Sequence, residues 1–125
     1  MEEFVQEATE KCPNIELRNG YIKISGRSIP EDPKKLYKPV NQWVKDYVAN
    51  PDPHTEINIQ LEYCDTGSTK SIFDILMILA HCRNTNHKID MVFNWIYEKR
   101  DAEIMELGEF MESKLNVLFN YIELK

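Results

Sequence analysis

Residues 56–80 read EINIQLEYCDTGSTKSIFDILMILA, and two periodicities meet inside them. Over 56–63 the apolar residues Ile57, Ile59, Leu61 and Tyr63 alternate with polar ones, the signature of a strand with one face turned to a core. Over 69–83 the apolar residues Ile72, Phe73, Ile75, Leu76 and Leu79 follow helical spacing along a wide face. Between them lies CDTGSTK, which packs Thr66, Ser68, Thr69 and, one residue further, Ser71 into one strand-to-helix junction. A strand that runs through a short polar turn into a buried helix is the first half of a β-α-β unit.

Reading outward from this unit repeats it. Residues 15–25, IELRNGYIKIS, carry two short alternating runs around Asn19-Gly20, a dipeptide suited to the positive φ of a tight hairpin turn. GRSIPEDPKK then reads as a loop punctuated by Gly26, Pro30 and Pro33. Leu36, Val40, Trp43, Val44, Tyr47 and Val48 recur at helical spacing across Pro33–Val48, with Pro39 in the first turns placing the expected start nearer Tyr37. After 83 come a turn, RNTNHK, a strand, IDMVFNWIY, and a helix over EKRDAEIMELGEFMESK interrupted or capped near Gly108. VLFNYIEL is the closing strand. The order hairpin, helix, strand, helix, strand, helix, strand predicts an α/β fold: a mixed, mostly parallel sheet with an antiparallel pair at its start, flanked by helices. The expected organisation is a single domain over residues 1–125, with 1–14 a candidate flexible segment.

Composition narrows the function. In 125 residues, 42% hydrophobic and 10% aromatic content supports a globular core rather than a disordered chain. The net charge is −6, from 15 Lys and Arg against 21 Asp and Glu, and the cations are scattered along the sequence. That balance argues against nucleic acid or an anionic membrane surface as the main partner. No apolar run reaches the roughly 18 residues of a spanning helix. MEEFVQEATEKCPN lacks the basic and apolar regions of a signal peptide, so the expected location is cytoplasmic. Cys12, Cys64 and Cys82 show no CxxC spacing and fit reduced thiols.

Catalytic and metal chemistry find little footing. His81, Cys82 and His87 lack zinc spacing, because adjacent helical residues point about 100° apart and do not ordinarily chelate one ion together. No metal or cofactor is therefore expected. Cys64 lies just before a helix N-terminus, which favours a thiolate, but Asp65 beside it opposes one. The phosphate-binding, dinucleotide-binding, zinc-protease and nucleophile-elbow motifs are all missing from the chain, and the acidic residues of 98–112 read as a solvated helix face. The expected protein is not an enzyme. For CDTGSTK two readings share one geometry: Ser68 or Thr69 as an ordinary N-cap, or a hydroxyl at a helix N-terminus whose phosphorylation adds nearly two negative charges.

Four blocks in order, SGRSIPEDPKKLYKPVNQWVKDYV, INIQLEYCDTGSTKSIFDIL, IDMVFNWIYEKRDAEIMELGEFM and FNYIEL, resemble the SiaC family of bacterial regulatory phosphoproteins over about residues 15–124. The resemblance implies a switch without catalysis of its own, STAS-like in architecture and in its anti-sigma-antagonist logic. It implies a histidine-kinase-like Ser/Thr kinase, a PP2C-type phosphatase, and an effector such as a diguanylate cyclase that the unphosphorylated form binds and activates, a cyclic-di-GMP route to biofilm. The family's loop typically reads Asn-Thr-Ser-Ser, which falls here on Asp65, Thr66, Gly67 and Ser68, with Lys70 at a commonly basic place. Thr66 is thus the implied acceptor and Ser68 the reserve. Asp65, Thr66, Gly67, Ser68, Thr69 and Lys70 form the expected partner-binding stretch. Asp65 and Gly67 depart from the pattern: the first adds a charge beside the phosphate, the second removes a hydroxyl and loosens the loop. Two rival readings stand beside the switch, a constitutive interaction module on the same fold and a small enzyme using Cys64.

Overall fold

A computed structural model describes residues 1–124. Six strands and three helices follow one another as β1 (Phe4–Gln6), β2 (Asn14–Arg18), β3 (Tyr21–Ser28), α1 (Pro33–Val48), β4 (His54–Cys64), α2 (Thr66–Thr85), β5 (Asp90–Glu98), α3 (Ala102–Leu115) and β6 (Phe119–Leu124). The strands form one sheet in the order β1-β2-β3-β4-β5-β6. The first two pairings are antiparallel and the last three parallel. Asn19-Gly20 makes the β2–β3 hairpin turn, with Gly20 at φ 78°. Three successive crossovers step the same way across the sheet, and their shared right hand puts all three helices on one face.

That face carries the core. Ile22, Ile57, Phe93 and Phe119 stand in register from β3 to β6, all buried. Beside them Ile24, Ile59 and Trp95 form a second buried row. On the opposite face the register row is Lys23, Asn58, Asn94 and Asn120. Asn94 Nδ2 donates to Asn58 Oδ1 at 3.0 Å, and Asn120 Nδ2 donates to Asn94 Oδ1 at 3.2 Å. A ladder of side-chain amides thus ties three strands together where no helix covers them.

Several expected boundaries move, each for a local reason. Helix α1 begins at Pro33 rather than near Tyr37, because Asp32 caps it by accepting from Lys35 N at 3.2 Å. Pro39 then lies inside the helix but on its exposed side, where water can reach the carbonyl its missing N–H would have bound. Strand β3 continues through the expected loop to Ser28, passing a bulge at Gly26 with φ 100°. Helix α3 begins at Ala102, capped by Asp101, and runs unbroken through Gly108 to an Asn116 cap at φ 56°. Gly108 is a packing residue rather than a break: a Cβ there would lie 2.5 Å from Trp95 Nε1. Tyr63, expected on the core face of β4, is exposed at the strand's end. Within the first fourteen residues, Phe4–Gln6 add an edge strand to β2, a pairing too short to leave a periodic signal.

Candidate functional site

The candidate site lies at the carboxyl edge of the sheet, where β3 and β4 end and α1 and α2 begin. Asp65 leaves β4 in an extended conformation, φ −76° and ψ 172°, and its carboxylate accepts from Ser68 N at 2.7 Å. Asp65 is therefore the N-cap of α2, and Ser68 and Thr69, expected as caps, are not. The helix starts three residues earlier than its apolar spacing indicates, so Thr66 occupies its first turn rather than a preceding loop. This gives the first departure from the family's loop a physical sense. Asn and Asp are about equally good N-caps, so the substitution keeps the capping carbonyl-type oxygen while adding charge.

The four hydroxyls have four different fates. Ser68 is fully buried; Ser28 Oγ donates to its Oγ at 2.7 Å. Ser28 Oγ also lies 2.6 Å from the Tyr37 phenol, so one buried hydrogen-bonded chain links β3, α1 and α2. The burial of Tyr37 pushes its pKa well above the ordinary tyrosine value, keeping the phenol a neutral partner in that chain. Thr69 Oγ1 donates to Asp65 O at 2.8 Å and approaches Cys64 Sγ at 3.3 Å. Ser71 lies half-buried on the side of α2 that faces α1. Thr66 alone is exposed, and its hydroxyl makes no hydrogen bond among the described residues.

Gly67 explains itself by close approach. A Cβ at this position would sit 2.8 Å from Pro33 Cγ, so the missing side chain lets the first turns of α1 and α2 touch. Lys70 is exposed one turn further on, with Nζ 3.7 Å from Asp74. Its charge is directed along α2 rather than held against Thr66. Cys64 is an unfavourable nucleophile: burial first, and then the Asp65 charge, raise its pKa from 9.0 to about 11 despite the Thr69 hydrogen bond. A thiol held protonated at neutral pH is a weak nucleophile.

The expected stretch 65–70 is thus brought together, but as a cap, an exposed hydroxyl, a contact glycine, a buried serine, an engaged threonine and a paired lysine. The supporting residues Pro33, Ser28 and Tyr37 carry no signal in the chain beyond their place in the SGRSIPEDPKKLYK block. No motif marks a buried serine, since its role appears only when strand and helix meet.

Comparison with known proteins converges on one family. The sequence model of the SiaC family regulatory phosphoprotein matches residues 6–124. An uncharacterized protein of Pseudomonas aeruginosa strain UCBPP-PA14 is 28% identical over 103 residues, covering 81% of this chain and 80% of that one. The solved structure of SiaC of Pseudomonas aeruginosa superposes with a TM-score of 0.83 at 26% identity, covering 98% of this chain and 97% of its own. A third match has a TM-score of 0.80 at 24% identity, covering 96% and 97% of the two chains. It comes from a crystal structure of the diguanylate cyclase SiaD with its activator SiaC, also from Pseudomonas aeruginosa. The single-domain, STAS-like α/β architecture is common to this chain and SiaC.

Proposed function

The chain belongs to the SiaC family of regulatory phosphoproteins, and on that premise we propose that it is a phosphorylation-controlled binding switch whose acceptor is Thr66. A partner Ser/Thr kinase adds the phosphate and a PP2C-type phosphatase removes it. The unphosphorylated form docks on and activates an effector of the diguanylate cyclase type, a reading supported by the complex of the cyclase SiaD with its activator SiaC. The protein contributes a surface and a modifiable hydroxyl, and no catalysis.

The observation that carries this reading is the separation of the hydroxyls. Thr66 is exposed and uncommitted, whereas Ser68 is fully buried and Thr69 is engaged by the backbone. A kinase must thread its acceptor into an active site, and only Thr66 can be presented without opening the helix. A phosphate on Thr66 would adjoin the amides of Thr66 and Gly67, first-turn groups with no intrahelical acceptor. That local environment stabilises the phosphorylated state without rearranging the fold. A docked partner would have to desolvate the new dianion beside Asp65, and a loss of about 3 kcal/mol lowers affinity more than a hundredfold.

The test is effector binding by three forms of the full chain. Thr66→Ala should bind a diguanylate cyclase from the same host with unmodified affinity, whether or not the kinase has acted. Thr66→Glu should bind more weakly than wild type. Equal affinity for wild type, Thr66→Ala, Thr66→Glu and the kinase-treated protein would instead identify a constitutive interaction module.

A further inference from the structure

Helix α1 concentrates cations in a chain that is otherwise acidic. It carries Lys34, Lys35, Lys38 and Lys45 against a single acid, Asp46, while the whole protein has a net charge of −6. Lys34, Lys38 and Lys45 share one side of the helix and line a groove of about 260 Å³ between α1 and α2, together with Asn41, Ser71 and Asp74. The Asp74 carboxylate is taken up by Lys70, and among the described residues no α1 lysine forms an ion pair. Helix stability does not account for Lys34 and Lys35 either. They stand in the first turn, which holds no acidic residue, and a cation there opposes the helix dipole. None of these lysines is therefore paired within the fold, and only Lys45, in the last turn, stands where the helix dipole favours a cation.

We infer that this groove between α1 and α2 docks an acidic segment of the effector protein, with Lys34, Lys38 and Lys45 as its counter-charges. The groove opens beside the acceptor: Pro33, which precedes Lys34, is the residue against which Gly67 packs, and Gly67 follows Thr66. An acidic segment that runs along the lysine row would end at Thr66. A phosphate there would meet that segment with like charge and compete for the same lysines. Negative charge added at one hydroxyl would thus act at the end of a site already selected for anionic partners. This inference rests on the reading that an effector docks over the start of α2; charge complementarity supplies the chemistry of what docks.

The direct probe is a synthetic acidic peptide, (Glu-Ala-Ala-Glu)₄, titrated into the ¹⁵N-labelled full chain while its amide resonances are followed. Saturable shifts should map to Lys34–Lys45 and Ser71 and weaken steeply with salt. The triple variant Lys34→Gln/Lys38→Gln/Lys45→Gln should lose at least tenfold in peptide affinity at an unchanged melting temperature; these exposed sites make no ion pairs, so the fold should survive. Shifts that do not saturate, that map to the Asn58–Asn94–Asn120 face, or that persist in the triple variant would overturn the inference. Peptide binding that is intact while Thr66→Glu leaves cyclase affinity unchanged would refute the switch and retain the groove. Loss of the groove with the switch preserved would do the reverse.

Discussion

Replacing Ser28 by Ala should be one of the most damaging single-hydroxyl deletions in this fold, for reasons that its two contacts make quantitative. Ser28 Oγ lies between the Tyr37 phenol at 2.6 Å and Ser68 Oγ at 2.7 Å, and both serines are fully buried. Alanine removes the middle of the chain and leaves two buried polar groups without it. A buried group stranded in this way costs about 1–3 kcal/mol, so partial relaxation of Tyr37 toward Ser68 still leaves a loss of about 2–4 kcal/mol. Ser68→Ala removes an end of the same chain. It leaves the Ser28–Tyr37 bond intact and gains about 0.5 kcal/mol of helix propensity, for a net cost of about 0.5–1 kcal/mol. Urea unfolding followed by tryptophan fluorescence separates the two. With a slope of about 1.5 kcal/mol per molar urea, the midpoint should fall by roughly 1.5–2.5 M for Ser28→Ala and by roughly 0.3–0.7 M for Ser68→Ala. A Ser28→Ala midpoint equal to or above that of Ser68→Ala would refute the linear arrangement of the network and its role in fastening α2 to α1.

Other perturbations follow from the same geometry. Gly108→Ala gains about 1 kcal/mol of helix propensity, but its methyl would fall 2.5 Å from Trp95 Nε1, which donates to Ile104 O at 2.8 Å. Overpacking at a buried indole should win, giving a net loss of about 1–2 kcal/mol by thermal or urea unfolding. Asp65→Ala should cost about 1 kcal/mol through the lost cap, whereas Asp65→Asn should stay within about 0.5 kcal/mol of wild type in the same assay. Cys64 should alkylate slowly at pH 7–8 and accelerate only as pH nears its raised pKa of about 11, as followed by mass change with iodoacetamide. Because that thiol holds its proton more tightly folded than unfolded, its contribution to stability is complete below about pH 9 and is lost as pH rises from 9.0 to about 11.

The alternation of strands and helices was legible because each element repeats at its own period, and Asn19-Gly20 marked the one turn whose backbone demands a special residue. Helix starts were harder to read. At α2 the apolar spacing begins only with Ile72, while the cap is Asp65, seven residues earlier. A carboxylate beside a row of hydroxyls looked like an electrostatic liability, yet it serves as the acceptor for Ser68 N. Pro39 suggested a late start for α1 because a proline's cost depends on which side of the helix it faces, and spacing alone does not reveal that side. Gly108 looked like a helix end because its actual reason, the Trp95 ring beneath it, comes from another strand. Asn58, Asn94 and Asn120 offered a signal that periodicity passes over: asparagine is depleted in strands, and three of them mid-strand point to a cross-strand ladder on an uncovered face.

For the site, resemblance to a family directed attention to Thr66, and the structure distinguishes it from its neighbours by exposure and hydrogen bonding. Composition could not have done so, since Thr66, Ser68, Thr69 and Ser71 are interchangeable as letters. Their difference lies in three-dimensional placement at a junction of two helices and two strands. Gly67 belongs to the same lesson: read as a lost hydroxyl, it proves to be the contact that brings Pro33 and the lysine row of α1 up to Thr66.

The central claim is that Thr66 is the residue where charge is added and removed. Fragmentation mass spectrometry of the protein isolated from its own host tests this most directly, because one tryptic peptide, residues 46–70, holds Thr55, Thr66, Ser68 and Thr69 together. Phosphate located on Thr66 in a fraction of the molecules, with Ser68 and Thr69 unmodified, is the result the account predicts. A peptide that stays unmodified in cells whose phosphatases are blocked, or a phosphate located on Ser68, would contradict it.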